Sequence, residues 1–131
     1  MTRLSDFPVG GVLRAEDIHR AERFYTEVLG LTELPAPGQG GAFFRSGTGA
    51  MVMIYEQPGI PAPENTTLGF TVPAEKFDEV VADLRSKGVV FEDYDLPDMG
   101  IKTTNGVAEI DGSKAAWFKD TEGNILNIAT M

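Results

Sequence analysis

The sequence predicts an α+β protein in which one β-α-β-β-β unit is used twice. Three observations carry that reading. Two segments with helical apolar spacing, each stopped by a glycine, are followed by short strand-like runs. The two stops, Leu29-Gly30-Leu31 and Lys87-Gly88-Val89, lie 58 residues apart, and the same spacing carries Asp17 onto Glu75 and Val12 onto Phe70. Near the end of the chain, two apolar runs flank the polar pentad Asp120-Thr121-Glu122-Gly123-Asn124. Asp favours the first position of a tight turn and Gly supplies positive φ, so this stretch reads as a hairpin.

The elements follow in order. Residues 8–14 read as a strand, and Gly10-Gly11 within it allows a close backbone approach. Asp17 is a plausible N-cap for a helix in which Ile18, Ala21, Tyr25 and Val28 form the apolar stripe, widened by Phe24 and Leu29, before Gly30 ends it. Strands are expected at 31–34, 42–45 and 51–56, with a loop at 35–38 and a Ser46-Gly47-Thr48-Gly49 turn. Pro58, Gly59, Pro61 and Pro63 rule out a central strand, so 58–65 serves as a linker. The pattern then restarts: a strand at 66–72, a helix opened by Pro73 with Phe77, Val80, Val81 and Leu84 on its apolar face, then a strand at 89–91. Residues 92–111 are polar and read as loop with a short strand near 107–110. The chain is thus one domain, 1–131, with module one at 7–57 and module two at 66–131.

Bulk properties exclude several classes. A formal charge of −9 and scattered basic residues disfavour nucleic acid and anionic membrane surfaces. The absence of cysteine removes disulfides, thiolate metal sites and cysteine nucleophiles, and fits a reducing cytosol. The N-terminal residues lack a signal-peptide apolar core, and no window approaches a membrane span, so a cytoplasmic protein is expected. No phosphate-cradling loop opens a helix: Gly38-Gln39-Gly40-Gly41 follows a proline-rich stretch. No G-x-S-x-G elbow is present. His19, the single histidine, falls early in a helix beside the apolar Ile18 and is expected in solvent.

The stretch from Phe118 to Asn124 resembles the "FxDPxGN" signature of the vicinal oxygen chelate superfamily, which holds glyoxalases, extradiol dioxygenases and bleomycin-resistance proteins; Thr121 stands where Pro is usual. Residues 17–31, including Arg20-Ala21-Glu22-Arg23-Phe24-Tyr25, are similar to the first helix of that family. The resemblance implies two paired βαβββ modules whose curved mixed sheet wraps a cleft with a divalent metal at its base, and it implies a homodimer. Its metal ligands come from the first, fourth, fifth and eighth strands. The position three residues after the motif Asn is usually a glutamate, and here it is Asn127. The corresponding places fall on Met53, near Thr67, and near Val9 or, with a one-residue slip, Gly10. None supplies an imidazole or carboxylate, the donors that Zn, Fe, Mn or Ni require when cysteine is absent. No metal and no other cofactor is therefore expected.

By the two-residue period of a strand, Met51, Met53 and Tyr55 share a face suited to an adaptable apolar pocket. Trp117 and Phe118 point to opposite faces; pairing Phe118 with Ile125 would put Phe118 on the Asn127 side, and a one-residue slip would reverse that. The expected ligand-binding set is Met53, Tyr55, Thr67, Phe118 and Asn127, and the expected partner is a small apolar or aromatic molecule. The alternative is a metal-dependent glyoxalase-like lyase or isomerase, or a dioxygenase, in which Glu56, Glu109 or Asp111 supplies the carboxylates. A further alternative is a non-catalytic domain with a filled cleft and an oligomeric or regulatory role.

Overall fold

The computed structural model describes residues 2–35, 38 and 40–130; residues 36 and 37 of the loop expected at 35–38 lie outside that set. The chain divides into two compact units, Met1–Ala62 and Pro63–Met131. The division falls in the proline-rich stretch.

The first unit holds β1 (Gly11–Ala15), α1 (Ile18–Arg23), β2 (Thr32–Leu34), β3 (Gly41–Ser46) and β4 (Ala50–Glu56). Its sheet runs β1-β4-β3-β2, with β1 parallel to β4 and the other pairs antiparallel. A parallel pair needs a crossover, and α1 supplies it. Asp17 caps α1 by accepting from the His19 and Arg20 N–H groups, both at 3.1 Å. Beyond Arg23 the chain does not stay α-helical. It widens into a π turn over Phe24–Val28, where the Leu29 N–H donates to the Phe24 carbonyl. Ile18, Ala21 and Tyr25 remain buried through that change, and the Tyr25 ring packs 5.5 Å from Phe44. One sheet face (Leu13, Ala15, Ala42, Phe44, Val52, Ile54) is buried, as period-two alternation demands.

The second unit repeats the plan and extends it. β5 (Thr66–Val72) pairs in parallel with the last strand, β10 (Ile125–Thr130), across α2 (Phe77–Ser86). Between them lie β6 (Asp95–Leu96), β7 (Ile101–Thr104), β8 (Val107–Ile110) and β9 (Ser113–Lys119), giving the order β5-β10-β9-β8-β7-β6. Phe77, Val81 and Leu84 bury the inner face of α2. At about 1.5–3 kcal/mol for each large side chain, that burial is what holds the helix on its sheet.

Two expectations are corrected here. The strand at 89–91 contracts to a single bridge, Phe91 to Phe118, followed by the Glu92 N–H donating to the Trp117 carbonyl. The short strand expected near 107–110 is β8, but the rest of 92–111, expected as loop, also carries β6 and β7. Asn105-Gly106 and Asp111-Gly112 join β7 to β8 and β8 to β9 as two-residue turns, all four residues at positive φ (54°, 82°, 51°, 85°). Those are the angles that match the right-handed twist of a hairpin.

Candidate functional site

In the first unit the sheet face opposite the buried one is apolar and open. Val12, Met53, Phe43 and Leu34 form one row across β1, β4, β3 and β2, and Arg14, Tyr55 and Gly41 form the next. Val12 is 60% exposed, Met51 44% and Tyr55 36%. Val9, Gly10, Val12, Phe43, Met51 and Met53 line a hollow of about 290 Å³ on this face. Flexible thioethers beside an aromatic ring make such a surface adaptable in shape.

In the second unit the register decides which side chains share the open face. Asn127 pairs with Trp117 on β9 and with Gly69 on β5. Trp117 is half-buried and meets the Tyr94 ring edge to face at 5.7 Å. Burial first, and the Glu92 carboxylate second, push the Tyr94 phenol pKa up. A bulge in β5 leaves Thr67 between the paired residues Thr66 and Leu68, and its hydroxyl donates to the Ile125 carbonyl at 3.1 Å.

Phe118 is therefore corrected as a ligand-binding candidate. It pairs with Leu126 rather than Ile125, is fully buried, and packs 5.6 Å from Phe91 on the helix side. Trp117 takes the Asn127 side. The pentad between the strands explains the register. Asp120 Oδ1 accepts from the Glu122 and Asn124 N–H groups, both at 2.8 Å, and Oδ2 accepts from Asn124 Nδ2 at 2.9 Å. The turn is thus closed by a buried carboxylate that spans five residues.

A family model for the Glyoxalase/Bleomycin resistance protein/Dioxygenase superfamily matches residues 9–128. The chain belongs to that superfamily. Its fold is also that of solved members of the superfamily. A glyoxalase/dioxygenase from Nostoc punctiforme is 16% identical, with a TM-score of 0.68 over 92% of this chain and 88% of that one. The lactoylglutathione lyase from Agrobacterium tumefaciens is 23% identical, with a TM-score of 0.65 over 93% and 91%. The fosfomycin resistance protein FosX from Mesorhizobium loti is 16% identical, with a TM-score of 0.65 over 92% and 87%. No curated protein matches the chain.

The superfamily's metal positions can be tested against the groups that occupy them. The pairs Val12–Met53 and Gly69–Asn127 occupy corresponding places, and neither Val9 nor Gly10, the positions expected to match Thr67, has a side chain that could hold a metal. Gly10 offers no donor, and a Cβ there would lie 3.0 Å from the Met51 carbonyl oxygen. Met53 offers a thioether, Thr67 a hydroxyl already engaged, and Asn127 a neutral amide. This donor set does not fit a divalent ion of the kind that needs imidazole or carboxylate. Among the described residues, no three His, Asp or Glu side chains are grouped to hold a metal.

The other acidic candidates serve local structure. Glu56 lies on the buried side of β4 beside Ala15, and its Oε2 accepts from the Ile18 N–H at 3.0 Å, at the start of α1. Glu109 pairs with Lys114 on β9, whereas Asp111 leaves the strand and sits in a turn, so the two do not share a strand face. His19 is 83% exposed, with Nδ1 3.3 Å from Glu22. Glu22 in turn faces Glu33 on β2: partial burial, then the shared hydrogen bond and repulsion with Glu22, raise the Glu33 carboxyl to about 7.

Tyr94, Gly69, Val12 and Phe43 were not among the site residues expected from sequence. A lone glycine inside the strand at 66–72 is a signal for Gly69, because strand glycines mark close approaches. Nothing in the sequence marks Tyr94, which reaches Trp117 only through the bridge at Phe91.

Proposed function

We propose that this chain is a small-molecule-binding member of its superfamily that works without the divalent metal, and that its ligand is apolar or aromatic. The observation that carries the reading is the donor set at the four metal positions: a glycine, a thioether, an engaged hydroxyl and an amide. The apolar hollow beside Met51 and Met53 supports it further, since ligand sites are mostly apolar with a few placed polar groups. Taken separately, the open face of the first unit offers Met53 and Tyr55 as contacts, and that of the second offers Asn127 as a polar contact. A homodimer belongs to the same reading, by resemblance to the superfamily, and sedimentation equilibrium tests it.

Metal analysis of protein purified without chelator, with Glu56→Gln alongside, tests the reading. Less than about one tenth of an equivalent of Zn, Fe, Mn, Ni or Co is expected in both proteins. Stoichiometric metal would overturn it. A thermal-shift screen of aromatic compounds tests the ligand, because a compound at 100 times its Kd adds about 2.7 kcal/mol of stability.

A further inference from the structure

The open face of the second unit carries a set of polar side chains with no hydrogen-bond partner among the described residues. Among the described residues no protein group hydrogen-bonds the Asn127 carboxamide, the Trp117 indole N–H or the Tyr94 hydroxyl. All three side chains are half-buried, and they stand together: Asn127 opposite Trp117 in the register, and Trp117 against Tyr94 at 5.7 Å with the rings 79° apart. Neighbouring polar side chains of the same unit behave differently. Thr67 is tied to Ile125, and Thr103 is tied to Asp93 and the Tyr94 backbone. The three side chains are partly open to solvent and none of their polar atoms is a buried unsatisfied group, so a ligand that replaces water there finds these donors and acceptors free of competing protein bonds.

Gly69 sets the position of the amide. A Cβ on Gly69 would stand 2.5 Å from Asn127 Oδ1, so the carboxamide lies across β5 only because that residue has no side chain. A flat amide then stands beside an indole and a phenol, and none of the three carries a charge. Lys119 and Glu92 pair with each other at 3.7 Å, and the Glu92 carboxylate also raises the Tyr94 phenol pKa, which keeps that hydroxyl protonated as a donor.

We propose that Asn127, Trp117 and Tyr94 form a hydrogen-bonding platform selective for an uncharged aromatic ring that bears a carbonyl or hydroxyl group. The ring packs on Trp117, Asn127 reads the carbonyl or hydroxyl through its amide, and Tyr94 supplies a second donor. An ionised ligand is rejected because no group on the platform compensates its lost hydration. This rests on reading the chain as a small-molecule binder.

The test uses the 131-residue chain, 15N-labelled and with 13C-methyl methionine, titrated with 2-hydroxyacetophenone, salicylate, 2-hydroxybenzylamine and ethylbenzene. The chain has one tryptophan, so its single indole N–H resonance reports the platform directly. The neutral ketone is expected to shift that resonance and the Asn127 side-chain amide pair. The two ions and the hydrocarbon should bind at least about tenfold more weakly, and Asn127→Asp and Tyr94→Phe should each weaken the ketone by about tenfold. Binding of salicylate or 2-hydroxybenzylamine as tight as that of the ketone overturns the selectivity and leaves the small-molecule reading standing. Shifts confined to the Met51 and Met53 methyls overturn the platform but not that reading. No shift with any probe overturns both.

Discussion

At the residue scale, Trp117 and Phe118 are neighbours in sequence with opposite fates. Phe118 is fully buried against Phe91 and Leu126, so Phe118→Ala leaves a cavity and should cost about 3–5 kcal/mol. Trp117 is half-buried on the open face, and Trp117→Ala should cost about 1–2 kcal/mol. Urea unfolding of the two variants checks this, and equal losses would mean that the register is shifted. Glu33 gives a pH prediction. Its folded-state pKa, about 7, lies above the ordinary glutamate value of 4.5, so the folded state holds the proton more tightly. The stability this proton confers is complete below about pH 4.5 and is lost as the pH rises through 7. Glu33→Gln should therefore raise the melting temperature at pH 8 by roughly 2 °C and leave it unchanged at pH 4.5, the side chain being exposed and screened. A variant that melts lower than the parent at pH 8 would contradict the Glu22–Glu33 contact.

At the element scale, the β9–β10 turn is the piece on which the second unit's register depends. Asp120 is buried and accepts three hydrogen bonds from within the turn. Asp120→Ala leaves those donors without their acceptor and should destabilise the protein by about 3 kcal/mol, measured by thermal or chemical unfolding. A loss under 1 kcal/mol would mean that the carboxylate does not organise the turn. The two short hairpins before it show how much of this region sequence can carry. Asn-Gly and Asp-Gly are the dipeptides that a two-residue hairpin requires, so β7 and β8 were legible at residues 105–106 and 111–112. The strand at 107–110 was read from the sequence, but β7 beside it is only four residues long and partly polar, and a periodicity argument passes over it. The π turn in the first helix was not legible. Ile18, Ala21 and Tyr25 keep their spacing whether the next turn is α or π.

At the scale of the whole molecule, a charge of −9 works against compactness, because like charges repel most strongly when folded together. Salt screens that repulsion over about 10 Å at 0.1 M. Raising NaCl from 10 to 200 mM should therefore raise the melting temperature by about 1–4 °C, and a fall in differential scanning calorimetry would refute this. Among the described residues no helix is long and apolar enough to cross a membrane.

The α+β class, the repeated unit, the helix cap at Asp17 and the superfamily are all properties of sequence, because propensity, spacing and turn chemistry act over a few neighbouring residues. That a neutral amide stands three residues after the motif Asn124 was likewise legible, since the motif counts directly to Asn127. Which of Trp117 and Phe118 joins Asn127, that Thr67 is held by Ile125, and that Glu56 closes the start of α1 were decided by the tertiary structure alone. Each depends on strand register or on groups far apart in the chain, and a shift of one residue turns every side chain of a strand to its other face.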